Sequence, residues 1–265
     1  MTGEELQARL LYRDGMMLVL DKPAGLPVHA GPKGGQSLEQ LFDALRFGLP
    51  RAPALAHRLD KDTSGCLVLG RHRKALARLG ALFKAGRIAK TYWAVVEGGP
   101  EADEGLIDLP LATREPGRGW WMKVDAAGLP SQTRFRVRGR SPSGLTWLEL
   151  EPLTGRTHQL RVHCAAMGFP ILGDAVYGRG AFSAKVDTGF AAENATNERT
   201  RAFSAKVDTG FAQETATNQK TFGPPLHLHA RTVSVPFKSG EAPISVTAPV
   251  PPHMREALAA CGAAV

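Results

Sequence analysis

The sequence has few cysteines and no long apolar run, and each shortage excludes a class of protein. Its three cysteines, Cys66, Cys164 and Cys261, are odd in number and far apart, and none belongs to a Cys-x-x-Cys pair. This pattern predicts neither a disulfide framework nor a thiolate zinc site. No apolar stretch approaches the roughly 18 residues of a membrane span, and the first residues, MTGEELQARL, carry acids where a signal peptide has a basic flank and an apolar core. We therefore expect a cytoplasmic protein that contacts no membrane.

Negative charge is also scarce relative to positive charge. The 265 residues include 33 Lys and Arg against 25 Asp and Glu, which gives a formal net charge of +8. Such an excess attracts polyanions, so nucleic acid is the expected partner. Residues 51–90 concentrate the excess, because ten basic residues there surround only two acids, Asp60 and Asp62. A solvated helix face is the other interpretation of a basic stretch, but the two carboxylates inside it favour a functional role.

The order of apolar and turn residues predicts a single catalytic domain over residues 1–265. Asp14-Gly15 marks a hairpin turn, a helix is expected from Ser37 to about residue 49, and a second helix is expected over about 72–86. After residue 90 the pattern changes to short strands. Helices interspersed with many short strands predict an α+β fold with a mixed, mostly antiparallel sheet flanked by helices.

A 20-residue segment occurs twice near the C-terminal end. AFSAKVDTGFAAENATNERT, residues 181–200, recurs with four differences as AFSAKVDTGFAQETATNQKT, residues 202–221. Two copies are too few for a solenoid, and a segment with so few aliphatic residues cannot bury much surface. We interpret residues 181–221 as a duplicated surface insertion in the catalytic domain.

The segment HRLDKDTSG, residues 57–65, places two carboxylates two positions apart. Calcium binding is one interpretation, because Asp60, Asp62 and Ser64 match the start of an EF-hand loop. That loop requires a glutamate at its twelfth position, which here is Arg71. A magnesium-dependent phosphatase with an aspartate nucleophile is a second alternative. It ranks lower, because the threonine of its signature falls one position early and no apolar strand leads into Asp60.

Taken whole, His-Arg-Leu-Asp-x-x-Thr-Ser-Gly resembles the catalytic motif of the RluA-type pseudouridine synthases. The resemblance implies the pseudouridine synthase catalytic fold, here as a stand-alone catalytic domain. It also implies an isomerase that converts specific uridines of structured RNA, ribosomal or transfer, to pseudouridine without a metal or a cofactor. Four further segments resemble motifs of this family in the same order: DKPAGLPVH (21–29), KTYWAVVEG (90–98), GRTHQLRVHCAAMGFPILGDAVYG (155–178) and LHLHARTVSVPF (226–237).

The resemblance also implies roles for individual residues. Asp60 is the essential carboxylate, which acts either by covalent attack on the ribose or by removal of a ribose proton. Arg156 is its ionic partner, and the ring of Tyr92 lies against the target base. Arg58 fills the space that the flipped nucleotide leaves, and Leu228 is a candidate apolar wall under the uracil. The predicted RNA-binding residues are Arg58, Lys61, Arg71, Arg73, Lys90 and Leu228.

An RNA-binding module that has lost its chemistry is the non-enzymatic alternative. Loss of Asp60, Tyr92 or Arg156 would be its sign, and all three residues are present. His227 and His229 alternate along a predicted strand, but companion ligands at a metal-binding spacing are missing, so no metal site is predicted. We expect a monomer whose partner is RNA.

Overall fold

The computed structural model describes residues 1–31, 34–114, 121–178, 224–237 and 240–264. Within these ranges the chain forms one large sheet, a two-stranded sheet and several helices. The helices are α1 (Gly3–Gln7), a 3-10 helix (Glu39–Leu45), α2 (Arg73–Lys84), α3 (Gln159–Ala166) and α4 (Pro252–Ala260). The strands are β1 (Leu10–Arg13), β2 (Met17–Lys22), β3 (Ala54–Leu55), β4 (Ser64–Gly70), β5 (Ala89–Glu97), β6 (Glu104–Asp108), β7 (Leu111–Thr113), β8 (Met122–Val124), β9 (Gln132–Arg140), β10 (Leu145–Pro152), β11 (Leu228–Val235) and β12 (Ile244–Thr247).

The large sheet is mixed and mostly antiparallel. Its strand order is β1-β2-β4-β11-β5-β10-β9-β6, with β12 paired to β11 and β3 paired to β4. In the described ranges, β4 and β11 are the parallel pair, and the other pairs are antiparallel. Strands β7 and β8 form a separate hairpin. The predicted α+β class and the mixed sheet are confirmed.

The two predicted N-terminal features have different outcomes. The hairpin is confirmed, because the Asp14 carboxylate accepts hydrogen bonds of 2.7 Å from the N–H groups of Met16 and Met17 and so closes the turn. The α-helix expected from Ser37 is wrong, since the structure has a shorter 3-10 helix over Glu39–Leu45 whose first residues lack a side-chain cap. Ser37 does donate its backbone N–H to the side chain of Gln40 at 3.1 Å, as a residue before a helix often does, but the turns that follow are 3-10 rather than α-helical.

Helix α2 packs on the face of the sheet that lies away from residue 59. Its Leu79 and Leu82 are buried with alternate residues of β2 and β4, and the intervening residues of these strands are buried with Leu59 on the other face. The basic stretch 51–90 is therefore divided between the two faces. The strand residues beside α2 are Met17, Val19, Cys66 and Val68, and those beside Leu59 are Leu18, Leu20, Leu67 and Leu69.

Two apolar clusters on the face that carries Leu59 meet at Tyr92. One contains Leu59 with residues of β2, β4 and the 3-10 helix, and the other contains Leu148 and Leu160 with residues of β5, β10 and α3. The partly buried ring of Tyr92 packs against both clusters. The junction between the two halves of the sheet is thus lined by a tyrosine and lies directly beside residue 60.

The duplicated segment 181–221 lies outside the described residues. The chain on its two sides is close together, because Gly173, with φ of 78°, packs its backbone against the carbonyls of Pro224 and Pro225. A side chain at position 173 would collide with both carbonyls. The division into one domain with a surface insertion stays a prediction. No helix in the described ranges is long and apolar enough to cross a membrane.

Candidate active site

Asp60 lies in a tight turn between a buried leucine and the start of β4. The backbone carbonyl of Asp60 accepts a hydrogen bond of 3.2 Å from the N–H of Thr63, which closes the turn. Gly65 has φ of 103° and packs against the backbone of Ala230 on β11, where a side chain has no room. The turn is therefore held against the sheet, and the Asp60 side chain remains 19% exposed.

Lys22 stabilises this turn from inside the protein, a role that the sequence analysis did not predict. It is fully buried, and its Nζ donates hydrogen bonds of 2.8 Å to the carbonyls of Pro23 and Lys61. The N–H of Gly25 donates to the same Lys61 carbonyl at 3.0 Å. Burial lowers the pKa of Lys22 to about 7, although the nearby carboxylates act in the opposite direction. The DKPAG segment thus positions the residue that follows Asp60.

Two basic side chains face the Asp60 carboxylate, and neither is Arg156. Arg161 Nη1 lies 3.7 Å from Asp60 Oδ2, and His158 Nε2 lies 3.6 Å from the same oxygen. Arg156 is exposed, and its Nε donates a 3.3 Å hydrogen bond to the Pro130 carbonyl. The prediction that Arg156 pairs with Asp60 is wrong, because α3 begins at Gln159 and the inward-facing arginine is the one inside the helix.

Arg161 is fixed by a second carboxylate on its far side. Its Nε and Nη2 donate hydrogen bonds of 2.7 Å to the two oxygens of Asp174, whose side chain is fully buried. Asp174 Oδ1 also accepts the N–H groups of Val176 and Tyr177 at 2.9 Å. Burial raises the pKa of Asp174, but the hydrogen bonds and charge of Arg161 outweigh burial and hold it below its usual value. The guanidinium is therefore oriented toward Asp60 before any substrate binds.

Tyr92 lies close enough to Asp60 for the carboxylate charge to act on its hydroxyl. It is on β5, with Ala230 of β11 and Leu150 of β10 as cross-strand neighbours. Burial, with the negative charge of Asp60 as a second cause, raises the pKa of Tyr92. The phenol is therefore protonated at neutral pH and offers an apolar ring and a hydroxyl donor.

Three predicted RNA-binding residues lie beside this site. Arg58 is exposed. Burial is the main cause that lowers the pKa of His158, and the charge of Arg58 is a smaller cause in the same direction, so Arg58 lies near this histidine. Lys61 is exposed on the turn itself. Leu228 is buried in the apolar cluster against which Tyr92 packs, so it supports the tyrosine from within the core.

The other three predicted RNA-binding residues lie in different surroundings. The guanidinium of Arg71 donates to the backbone carbonyls of Asp14, Arg46 and Phe47, so its donors hold the protein's own loops rather than phosphates. Arg73 begins α2, on the other face of the sheet. Lys90 is half-buried, and burial lowers its pKa. The basic residues of α2 therefore lie on the face of the sheet away from Leu59, and the RNA-binding role of Arg73 stays a prediction.

His227 and His229, the two histidines that alternate along β11 and the residue before it, make hydrogen bonds within the protein. His227 Nδ1 contacts the Pro225 carbonyl at 2.7 Å, and His229 Nδ1 contacts Ser64 Oγ at 2.9 Å. Across the described ranges, no three His, Cys, Asp or Glu side chains form a group that could hold a metal ion.

The site thus combines a carboxylate faced by a buried arginine with a tyrosine ring at the junction of a mixed sheet. Residues 16–166 match the family model described as RNA pseudouridylate synthase. The chain belongs to this family of RNA pseudouridine synthases, which are isomerases that act on RNA.

Curated relatives and a solved structure agree with this assignment. The chain is 45% identical over 175 residues to an RNA pseudouridine synthase of Zymomonas mobilis, an alignment that covers 65% of this chain and 80% of that protein. It is 42% identical over 185 residues to ribosomal large subunit pseudouridine synthase C of Haemophilus ducreyi, covering 69% of this chain and 57% of that one. The solved structure of human RNA pseudouridylate synthase domain containing 4 superposes with a TM-score of 0.72 at 25% identity, over 98% and 95% of the two chains. Neither the phosphatase nor the inactive module is favoured by these relatives.

Proposed function

We propose that this chain isomerises uridine in large-subunit ribosomal RNA and that Asp60 is its essential carboxylate. The observation that supports the site is the Arg161 ion-pair contact with Asp60, fixed from behind by Asp174. The similarity to the ribosomal large subunit pseudouridine synthase of Haemophilus ducreyi supports the choice of RNA.

The reaction exchanges one bond to the ribose C1′ atom for another and needs one carboxylate. The N1–C1′ bond of uridine breaks, the base turns, a C5–C1′ bond forms, and the proton on C5 is lost while N1 gains one. Asp60 serves either as the nucleophile at C1′ or as the base that removes a ribose proton. Both routes need a carboxylate held in a fixed direction, and the contact with Arg161 holds it.

Tyr92 and Arg58 would handle the extruded nucleotide. A base inside an RNA stack is inaccessible, so it must leave the stack to reach Asp60. Stacking on an aromatic ring contributes about 1 to 3 kcal/mol per base, which offsets part of the unstacking cost. Arg58 is exposed next to the site, where a planar cation can occupy the space left in the RNA.

Chemical mapping of pseudouridine in cells that lack the gene tests the substrate. We expect at least one position in large-subunit ribosomal RNA to lose its pseudouridine, with recovery on return of the wild-type gene but not of Asp60→Asn. A loss confined to transfer RNA would overturn the choice of RNA, and no loss in any RNA would overturn the function. That the protein is a cytoplasmic monomer without metal or cofactor stays a prediction.

A further inference from the structure

A chain of three contacts leads from the β7–β8 hairpin to the Asp60 carboxylate. The N–H of Met122 on β8 donates a 3.0 Å hydrogen bond to the hydroxyl of Tyr177. That hydroxyl lies 2.8 Å from His158 Nδ1, and His158 Nε2 lies 3.6 Å from Asp60 Oδ2. Tyr177 and His158 are both buried, so the contact between them is shielded from water.

The two hydrogen bonds at the Tyr177 hydroxyl determine where its proton lies. A backbone N–H can only donate, so the contact with Met122 uses a lone pair of the hydroxyl oxygen. In the part of the chain that the structure describes, the other partner of this hydroxyl is His158 Nδ1. If Nδ1 donated, the buried O–H of Tyr177 would have no acceptor, which is costly. Tyr177 therefore donates to Nδ1, and the ring proton of neutral His158 lies on Nε2, the nitrogen 3.6 Å from Asp60 Oδ2.

The surroundings of His158 favour the neutral ring. Burial is the largest cause that lowers its pKa, and the charges of Arg161 and Arg58 act in the same direction. The carboxylates of Asp60 and Asp174 act in the opposite direction and do not outweigh burial.

The backbone at His158 is held in an unusual conformation. Its φ of 52° and ψ of 17° are in the left-handed region, which residues other than glycine rarely adopt. Its carbonyl accepts the N–H of Val162 at 3.0 Å as α3 begins, so the start of the helix maintains this conformation. Strain of this kind persists where the surrounding structure imposes it, often at functional sites.

We propose that His158 is a positioning residue of the isomerase, held by Tyr177 as the neutral tautomer whose Nε2–H orients the Asp60 carboxylate. The inference rests on the proposed role of Asp60. The contacts of His158 and Arg161 both end on Oδ2, so the two groups together restrict the rotation of the carboxylate and leave Oδ1 for the reaction. A neutral donor orients the carboxylate without adding a second full positive charge that would weaken it as a nucleophile or base.

Two amide substitutions separate orientation from packing. In His158→Gln the side-chain NH₂ occupies the place of Nε2 and can still donate to Asp60, whereas in His158→Asn the shorter side chain reaches only the place of Nδ1. We expect the single-turnover rate of His158→Asn to fall by about 10²-fold, the scale of a 1 Å misplacement, and that of His158→Gln to fall much less. RNA affinity should be unchanged in both, since His158 acts on Asp60 and not on binding.

His163→Gln is the matched control on the same helix. His163 is fully buried and contacts Thr133 and the Leu109 carbonyl, away from Asp60. This variant is expected to lose stability without losing single-turnover rate in the folded fraction. Equal rates for His158→Asn and His158→Gln would overturn the proposal.

The ¹⁵N spectrum of the His158 ring tests the tautomer without any activity. We expect a protonated Nε2 and an unprotonated Nδ1 in the wild type, assigned by the loss of these signals in His158→Gln. In Tyr177→Phe the donor to Nδ1 is gone, so we expect the Nδ1–H tautomer to appear. A wild-type ring with its proton on Nδ1 would overturn the proposal even if the enzyme is active. Absence of wild-type isomerisation would instead overturn the function.

Discussion

Arg161 holds Asp174 through two hydrogen bonds of 2.7 Å, and this pair orients the guanidinium that faces Asp60. A guanidinium fixed on one side by a buried carboxylate can accept a second carboxylate in a set direction. The aspartate of the GDAVYG segment, Asp174, thus contributes to the site through Arg161.

The first prediction distinguishes the two arginines of the GRTHQLR segment. We expect Arg161→Lys to lower turnover strongly, because a point charge cannot contact Asp60 and Asp174 in the fork geometry of a guanidinium. Arg156→Ala is the control and should retain most of its single-turnover rate, since Arg156 contacts the Pro130 carbonyl. Single-turnover kinetics at saturating enzyme measures the chemical step. A fully active Arg161→Lys variant together with an inactive Arg156→Ala variant would contradict this assignment and favour Arg156 as the partner of Asp60.

These two arginines also show which parts of the site could be predicted from the sequence. The sequence motifs indicated Asp60 and Tyr92 directly, because each residue has a defined position within its motif. The choice between Arg156 and Arg161 depends on where α3 begins, and that boundary depends on tertiary contacts. For the same reason, local patterns did not reveal that α2 lies on the opposite face of the sheet from Leu59.

The second prediction concerns Lys22 and pH. Its pKa is about 7 in the folded protein against about 10.5 for a lysine in water. Between these values the unfolded chain binds more protons than the folded one, so the free energy of unfolding should rise with pH. Lys22→Met removes this titration. Urea unfolding of both proteins from pH 7 to about 9 should show the wild type gaining stability relative to Lys22→Met, and parallel curves would contradict the buried-lysine assignment.

The third prediction compares two exposed arginines on the two faces of the sheet. We expect Arg58→Ala to weaken RNA binding and to reduce the slope of log affinity against log salt by about 0.7, the value for one phosphate contact on a single strand. Arg73→Ala should leave both quantities unchanged, because α2 packs on the other face from Leu59. Filter binding across a salt series measures both. An equal loss in the two variants would mean that RNA also contacts α2.

The fourth prediction concerns the repeat. Residues 181–221 contain few aliphatic side chains, and Gly173 packs against Pro224 and Pro225 on the other side of the segment. A chain that joins Gly180 directly to Phe222 should therefore fold, with stability changed by about 1 kcal/mol or less, because closure entropy depends weakly on loop length. Thermal unfolding tests this. Loss of folding would show that the phenylalanines of the repeat belong to the core.

Asp60 is the residue proposed to perform the isomerisation, and tritium release from C5 of uridine measures that reaction directly. RNA transcribed with C5-tritiated uridine is incubated with wild type, Asp60→Asn and Asp62→Asn, the last a matched control two residues away on the same turn. We expect release by the wild type and by Asp62→Asn, and none by Asp60→Asn, whose RNA affinity should stay within a few fold because the amide keeps the shape. Release by Asp60→Asn near the wild-type rate would contradict the assignment.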